Sequence, residues 1–347
     1  MRYLNQLEPD ALLDRFAAHP PLNFRLEMVA DVPVFLASFD LLTTTEAPIR
    51  ARLQRAPGYR WWSRLLHWRT AFIGTTVSEY VLFPSQVDPR ALPQQLIAAL
   101  GHRQRMMVVK DLPQASPLLD NVSQRWSEDF LQASVEAGYV MLAGQALAYV
   151  PIDFADEQAY LSRLSASRRK DIRRKLRRRD ALAVEVLRCG DARFADEVEI
   201  DRYYALYEAV YAQSDIHFDK LSREFFAALL RDGDSGGIVF VYRHDTAMIG
   251  WNLCFVVDGK LIDKYIGFAY PQARENNLYF ISWFQNLAYA REHDLSHYVA
   301  GWTDPEIKSY LGASFTLTRH AVYLRSPLLR LLARRLGKFF ESESRWG

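Results

Sequence analysis

The chain of 347 residues is half hydrophobic, 24% charged and 13% aromatic, which excludes a disordered or low-complexity polymer and provides for a large core. Lys plus Arg number 43 and Asp plus Glu 41, a net charge of +2, so overall charge is not what would hold a polyanion. Two cysteines, Cys189 and Cys254, stand far apart; neither a disulfide framework nor a structural zinc site is expected, and a cytoplasmic setting is.

No run approaches ~18 uncharged apolar residues, and the first fifteen residues interleave acids with bases, so neither a membrane span nor a signal peptide is expected. At roughly 100–200 residues per domain the length predicts two domains. The first mixes β-like runs (Val32 to Phe39, Phe72 to Phe83, Met106 to Val109) with a helical stretch, Leu118 to Gly138, and ends on the strand-like Ala146 to Val150. The pattern changes after Pro151, giving predicted units 1–150 and 151–347.

The second unit opens on Arg168 to Arg179, twelve residues with nine cations and one anion, a local +8 against −6 for the rest of the chain. Leu161, Leu164, Ile172 and Leu176 recur at helical spacing through it, which predicts a helix with its arginines fanned over the outer face. Helices are predicted over Tyr203 to Tyr211 and Phe225 to Leu230, the latter with Asp219 and Ser222 as candidate N-caps. Ser214, Asp215 and His217 form a polar break between them.

Three β-runs follow, Gly237 to Tyr242, Ile249 to Val257 and Lys260 to Phe268. Asp258-Gly259 joins the last two as a two-residue hairpin, because both central positions need positive φ. A helix is predicted over Asn277 to Glu292 with the stripe Leu278, Ile281, Phe284 and Ala288, then a short strand, Ser296 to Ala300. Thr303 to Gly312 reads as a short helix marked at both ends, with Pro305 at its start and Gly312 past its end. After the strand Ser314 to Leu324, Ser326-Pro327 opens a helix with Leu328, Leu329, Leu332 and Leu336 beside Arg330, Arg334 and Arg335. Such a helix packs on its own domain or touches anionic lipid peripherally.

An antiparallel meander, long helix, short strand, short helix and closing strand is the order of the Gcn5-related N-acetyltransferase (GNAT) superfamily. Leu164-Ser165-Ala166-Ser167-Arg168-Arg169-Lys170-Asp171-Ile172-Arg173-Arg174, taken with Lys308-Ser309-Tyr310-Leu311-Gly312-Ala313, resembles the basic helix and lysine turn of the Fem-like branch, which holds the peptidoglycan-bridge aminoacyltransferases. The resemblance implies an α/β (α+β) fold of two tandem acyltransferase units, the first degenerate in sequence, with mixed, mostly antiparallel sheets flanked by helices.

Amide formation needs a neutral nucleophile, a place for the tetrahedral oxyanion and a proton acceptor, but no metal. Gly-x-Ser-x-Gly, His-Glu-x-x-His, Walker-A and Gly-x-Gly-x-x-Gly patterns are absent from the sequence, so other catalytic classes are disfavoured. The resemblance implies that strands near Tyr265 to Phe268 and Tyr298 to Gly301 part to form the reacting site. It gives Lys308 a place close to the donor's acyl or ribose end; by exposure statistics alone a helix lysine is solvated. Asp304 is a candidate proton acceptor or an N-cap. Asp263, Lys264 and Asn252 alternate on neighbouring strands, where they either touch substrate or form a surface pair. The basic helix supplies Arg169 and Arg173 as candidate phosphate contacts, and Trp302, Tyr310 and His217 are candidate substrate contacts; His217 serves equally as an exposed loop residue.

Superfamily members that use coenzyme A carry glycines where this chain has Arg274-Glu275-Asn276-Asn277-Leu278-Tyr279. Backbone N–H groups there cradle a pyrophosphate only if side chains stay clear. With Arg274 as the remaining candidate contact, the implied donor is a cosubstrate rather than a tightly bound cofactor: an aminoacyl-tRNA, or an acyl thioester on coenzyme A or a carrier protein. The basic helix suits tRNA or an acidic carrier, and the acceptor is an amine. The alternative is a non-catalytic tandem fold that binds nucleic acid or another polyanion through Arg168 to Arg179.

Overall fold

The computed structural model describes residues 2–42, 52, 55–214 and 218–336. Their strands are β1 (Arg25–Val29), β2 (Val32–Asp40), β3 (His67–Ile73), β4 (Met106–Pro113), β5 (Val140–Pro151), β6 (Leu182–Arg188), β7 (Ile238–His244), β8 (Ala247–Val257), β9 (Lys260–Phe268), β10 (His297–Gly301) and β11 (Ser314–Leu324). Their helices are α1 (Asp10–Ala18), α2 (Tyr59–Trp62), α3 (Leu92–Leu100), α4 (Asn121–Glu136), α5 (Glu157–Ser162), α6 (Ala166–Leu176), α7 (Glu197–Tyr211), α8 (Arg223–Leu230), α9 (Gln272–Glu275), α10 (Leu278–Glu292), α11 (Pro305–Leu311) and α12 (Pro327–Leu336).

All eleven strands join in one sheet, ordered β1-β2-β3-β4-β11-β5-β10-β9-β8-β7-β6. Its two wings repeat one plan. Antiparallel β1, β2 and β3 lead to β4, parallel to β3; antiparallel β7, β8 and β9 lead to β10, parallel to β9. Parallel neighbours need a crossover, and α3 and α10 supply the two. At the centre β11 runs antiparallel to both β4 and β5, and β5 pairs on its other edge with β10. A mixed α/β fold with a mostly antiparallel sheet is therefore what the chain adopts.

Helices cover both faces. Along β7, Ile238, Phe240 and Tyr242 pack with Leu278 and Ile281 of α10, while Val239 and Val241 pack with Ile200 and Tyr203 of α7 and Phe225 and Phe226 of α8. A strand buried on both sides reads as an unbroken apolar run, as Ile238 to Tyr242 does.

Several boundaries differ from the sequence expectation, each for a physical reason. The run Phe72 to Phe83 is not one strand: β3 stops at Ile73, Gly74 turns at φ 116°, and the following segment is apolar because it is buried, with Val77, Tyr80, Val81 and Leu82 at most 1% exposed. Leu161 belongs to the separate helix α5, α6 ends at Leu176, and Arg177–Ala181 is a 3₁₀ turn. β5 begins at Val140, six residues before the expected strand. β6, an edge strand with one neighbour, alternates too weakly in burial to announce itself. Ser222, not Asp219, caps α8 by accepting from Phe225 N.

Candidate functional site

The site forms where β9 and β10 part. They pair in parallel only at Lys260↔His297, Leu261↔Tyr298 and Ile262↔Val299. On β9's other edge Cys254 opposes Asp263 and Leu253 opposes Tyr265, which leaves Lys264 as the extra residue of a bulge; bulges bend the strand and re-aim side chains. Divergence thus begins at Asp263 opposite Ala300, two residues earlier on β9 than the sequence suggested.

Lys308 enters this fork from α11. The helix starts after Asp304 at φ 54°, with Pro305 in its first turn, and stops at Gly312 at φ 102°. A Cβ on Gly312 would lie 2.9 Å from Leu164 Cδ2, so only glycine ends the helix there without strain. Lys308 is 3% exposed, unlike an ordinary helix lysine. Its Nζ donates to the carbonyl oxygens of Ala300 (2.6 Å) and Gly301 (3.1 Å). Burial pulls its ammonium down to about 8, against an opposing pull from the charge of Asp263.

Asp263 anchors a buried polar network on the α10 face. One carboxylate oxygen accepts from Asn286 Nδ2 (2.9 Å) and Tyr298 OH (2.9 Å), and the other from Asn252 Nδ2 (3.4 Å). Asn252 also donates to Asn286 Oδ1 (3.0 Å) and accepts from Tyr242 OH (2.8 Å). Burial raises the Asp263 carboxyl, and the hydrogen bonds from Tyr298 and Asn252 work against that rise. The Cys254 thiol beside it is pushed well up by burial and by the neighbouring carboxylate, which makes it a poor nucleophile.

Lys264 points to the opposite face. Its Nζ lies 2.5 Å from Glu79 Oε1 and 3.4 Å from Glu8 Oε1, and Glu8 Oε1 also accepts from Glu79 N (2.7 Å). Burial lifts Glu8 to about 7, Lys264 pulls it down, and Glu79 adds to the rise. Glu79 Oε2 and the Tyr265 hydroxyl are buried without a hydrogen-bond partner among the described residues.

The remaining predicted residues lie around these two centres. Asp304 occupies the N-cap position but makes no capping bond; it is exposed and its charge raises Lys308. Trp302 is half-buried, edge-on to Tyr80 at 6.2 Å. Tyr310 OH donates to Asp171 Oδ2 (2.8 Å) and ties α11 to the basic helix α6. Arg169 turns inward to the carbonyls of Ser162 and Leu164 (3.1 Å each), and Arg173 donates to Gln158 (2.6 Å). Exposed Lys170, Arg173, Arg174, Arg177 and Arg178 line one side of α6 and its 3₁₀ extension, as i, i+3, i+4, i+7 spacing requires. Arg274 sits over the Tyr270 ring at 4.9 Å and donates to Gln213, while Asn277 opens α10 at φ 52° with no capping side chain. His217 lies outside the described residues.

Sequence reasoning missed Glu8, Glu79, Asn286 and Tyr298. Asn286 had a signal, a lone amide among the buried residues of α10. Glu8 and Glu79 had none, being 71 residues apart with no shared periodicity.

A doubled unit of meander and parallel crossover, with a bulged fork between β9 and β10 in its second copy, defines the class: a Fem-like fold. The chain belongs to the FemAB-like family, whose model, described as peptidoglycan biosynthesis/recognition, matches residues 100–343. It is similar to the C-terminal domain (DUF2156) of a putative lysylphosphatidylglycerol synthetase from Agrobacterium fabrum, with a TM-score of 0.54 at 12% identity over 97% of this chain and 98% of that one. It is similar to L-PGS from Bacillus licheniformis (TM-score 0.54, 11% identity, 95% and 97% covered) and to FemX (0.51, 12%, 92% and 96%). At these identities the likeness is one of fold. No curated protein sequence matches the chain.

Proposed function

We propose that this chain is an N-acyltransferase that forms an amide from an aminoacyl-tRNA and an amine acceptor at the β9/β10 fork. The observation that carries this is Lys308, buried to 3% exposure where the strands part, with an ammonium poised at about 8. In the reaction the neutral amine attacks the ester carbonyl. The C–N bond forms, the ester C–O bond breaks, and the proton lost by the amine ends on the departing ribose oxygen. A buried ammonium beside the carbonyl opposes the charge of the oxyanion, where low dielectric makes that interaction strong. The network of Asn252, Asn286 and Tyr298 around Asp263 fixes the floor of the fork, since each member's hydrogen bonds restrain the next.

Two features support tRNA as the donor. The exposed cations of α6 and its extension form a face suited to a phosphate backbone. The loop that leads into α10 has Asn277 and Tyr279 in place of glycines, which supports a donor other than coenzyme A, since a pyrophosphate cradle needs side chains to stay clear. The family's description supports an acceptor of peptidoglycan type, such as the free amine of a wall peptide. The test is transfer of radiolabelled amino acid from a charged tRNA pool to amine acceptors, run beside calorimetric titration with coenzyme A and acetyl-coenzyme A. Transfer that Lys308→Met abolishes, with no coenzyme A binding, is expected; saturable micromolar coenzyme A binding overturns the tRNA assignment.

A further inference from the structure

Residues 325–336 carry four arginines and no acid. Within them α12 lies against the sheet by a narrow edge: Ala333 packs beside Val322 and Leu324 of β11, and the Arg330 guanidinium sits 4.7 Å from the centre of the Tyr323 ring. Ser326 caps the helix by accepting from Leu329 N (3.4 Å). The apolar residues point the other way. Leu328 is 74% exposed, Leu331 51%, Leu332 50% and Leu329 36%. Leu328, Leu331, Leu332 and Arg335 follow i, i+3, i+4, i+7 spacing and form one ridge, on the side of the helix away from Arg330 and Ala333.

A helix that packs on its own domain buries its leucines; this one buries an alanine and an arginine stem and offers the leucines to solvent. Cations surround the ridge. Arg335 closes it and Arg334 flanks it, and Arg325 binds the neighbouring turn through Nη1 to His102 O (3.1 Å) and N to Arg105 O (3.0 Å), which brings exposed Arg105 to the same end, beside Arg103 in its ion pair with Glu27 (3.4 Å).

We propose that α12 is an interfacial helix that docks the protein onto an anionic phospholipid bilayer, with its leucine ridge in the acyl boundary and its arginines among the headgroups. Apolar ridge and basic rim together are what such a surface selects, since burial depth and attraction to anionic lipid add. A second copy is a poorer occupant. Four leucines make a patch of a few hundred Å², short of the roughly 800 Å² per partner in a standard interface, and a self-complementary contact would set Arg334 and Arg335 near their own images. No helix among the described residues is long and apolar enough to cross a membrane, so the docking is to one leaflet.

The test is co-sedimentation of the full chain with sucrose-loaded vesicles of phosphatidylcholine alone or with about 30% phosphatidylglycerol, at low and high salt. Binding to the anionic vesicles is expected, at least about tenfold tighter than to the neutral ones and weakened by salt. Leu328→Glu with Leu332→Glu should abolish it, and Arg334→Ala with Arg335→Ala should weaken it about tenfold or more. All four positions are exposed, and unchanged melting curves verify the fold. Absence of binding to anionic vesicles overturns the proposal, as does binding that both variants leave intact. A dimer in light scattering that Leu328→Glu with Leu332→Glu dissociates assigns the ridge to a second copy and also overturns it.

Discussion

Asp263 and Lys264 are neighbours in β9 yet serve opposite faces of the sheet: Asp263 meets Asn286 and Tyr298, and Lys264 meets Glu79 and Glu8. Successive strand residues face opposite ways, and the bulge in addition sets Lys264 outside the strand's pairing. Two buried charged centres are thereby hung on one strand, and each has its own pH signature.

For Lys308 the signature lies on the alkaline side. Its folded-state ammonium, at about 8 through burial, loses its proton earlier than a lysine in the unfolded chain. Between about pH 8 and 10 the unfolded state therefore binds more protons, and this residue's contribution to stability rises with pH. Lys308→Met should remove that rise in urea titrations at pH 7.5 and 9.5. Its turnover should fall by about 100-fold or more with KM little changed, in line with loss of an oxyanion partner, and the wild-type rate should decline above pH 8.

Glu8 has the reverse sign. Burial lifts its carboxyl to about 7, so from about pH 4.5 to 7 the folded state holds a proton that the unfolded state has lost, and stability falls as pH rises through that window. Glu8→Gln should flatten the fall between pH 5 and 7.5. Lys264→Met leaves Glu8 and Glu79 facing each other with no cation between them and should cost about 3–5 kcal/mol at neutral pH, read from the urea midpoint.

Asp263→Ala removes the acceptor for Asn286 Nδ2, Tyr298 OH and Asn252 Nδ2 together. Leaving such donors buried and unpaired should cost about 2–4 kcal/mol, measured as a lower melting temperature, with Asp263→Asn milder because the amide retains one acceptor oxygen.

Hairpin and helix ends in the second unit were legible because their information is local. Asp258 and Gly259 both hold positive φ, at 47° and 67°, as their residue types predict, and Pro305 and Gly312 mark α11 as expected. Lys308 stood out only through the resemblance of its turn to the Fem-like lysine turn; its burial depends on where β9 and β10 diverge, which no window of sequence encodes. Glu8, Glu79 and Lys264 come from three distant segments, two of them outside the sheet, and they meet only in the folded chain. The edge strand β6 stayed hidden because its solvent-facing residues dilute the apolar pattern that marked β7.

Lys170→Ala with Arg177→Ala and Arg178→Ala removes three exposed cations that bond to no other described residue. Affinity for tRNA should drop, and the slope of log affinity against log salt should lessen by about 2–3, at roughly 0.7–0.9 for each phosphate no longer neutralised. Filter binding across a salt series checks this, and Arg169→Ala should change the slope less, since that guanidinium is held by Ser162 and Leu164 carbonyls.

The position of β11 sets an order of events on the ribosome. β4 and β5 emerge early but do not pair along their facing edges, because β11, some 160 residues later, fills the space between them. Until that strand is made, both edges stand open to the wrong neighbours, which is the condition that invites chaperone capture or aggregation. A nascent chain halted before Ser314 would be unable to close its own sheet, whose central strand is the last of the eleven to be made.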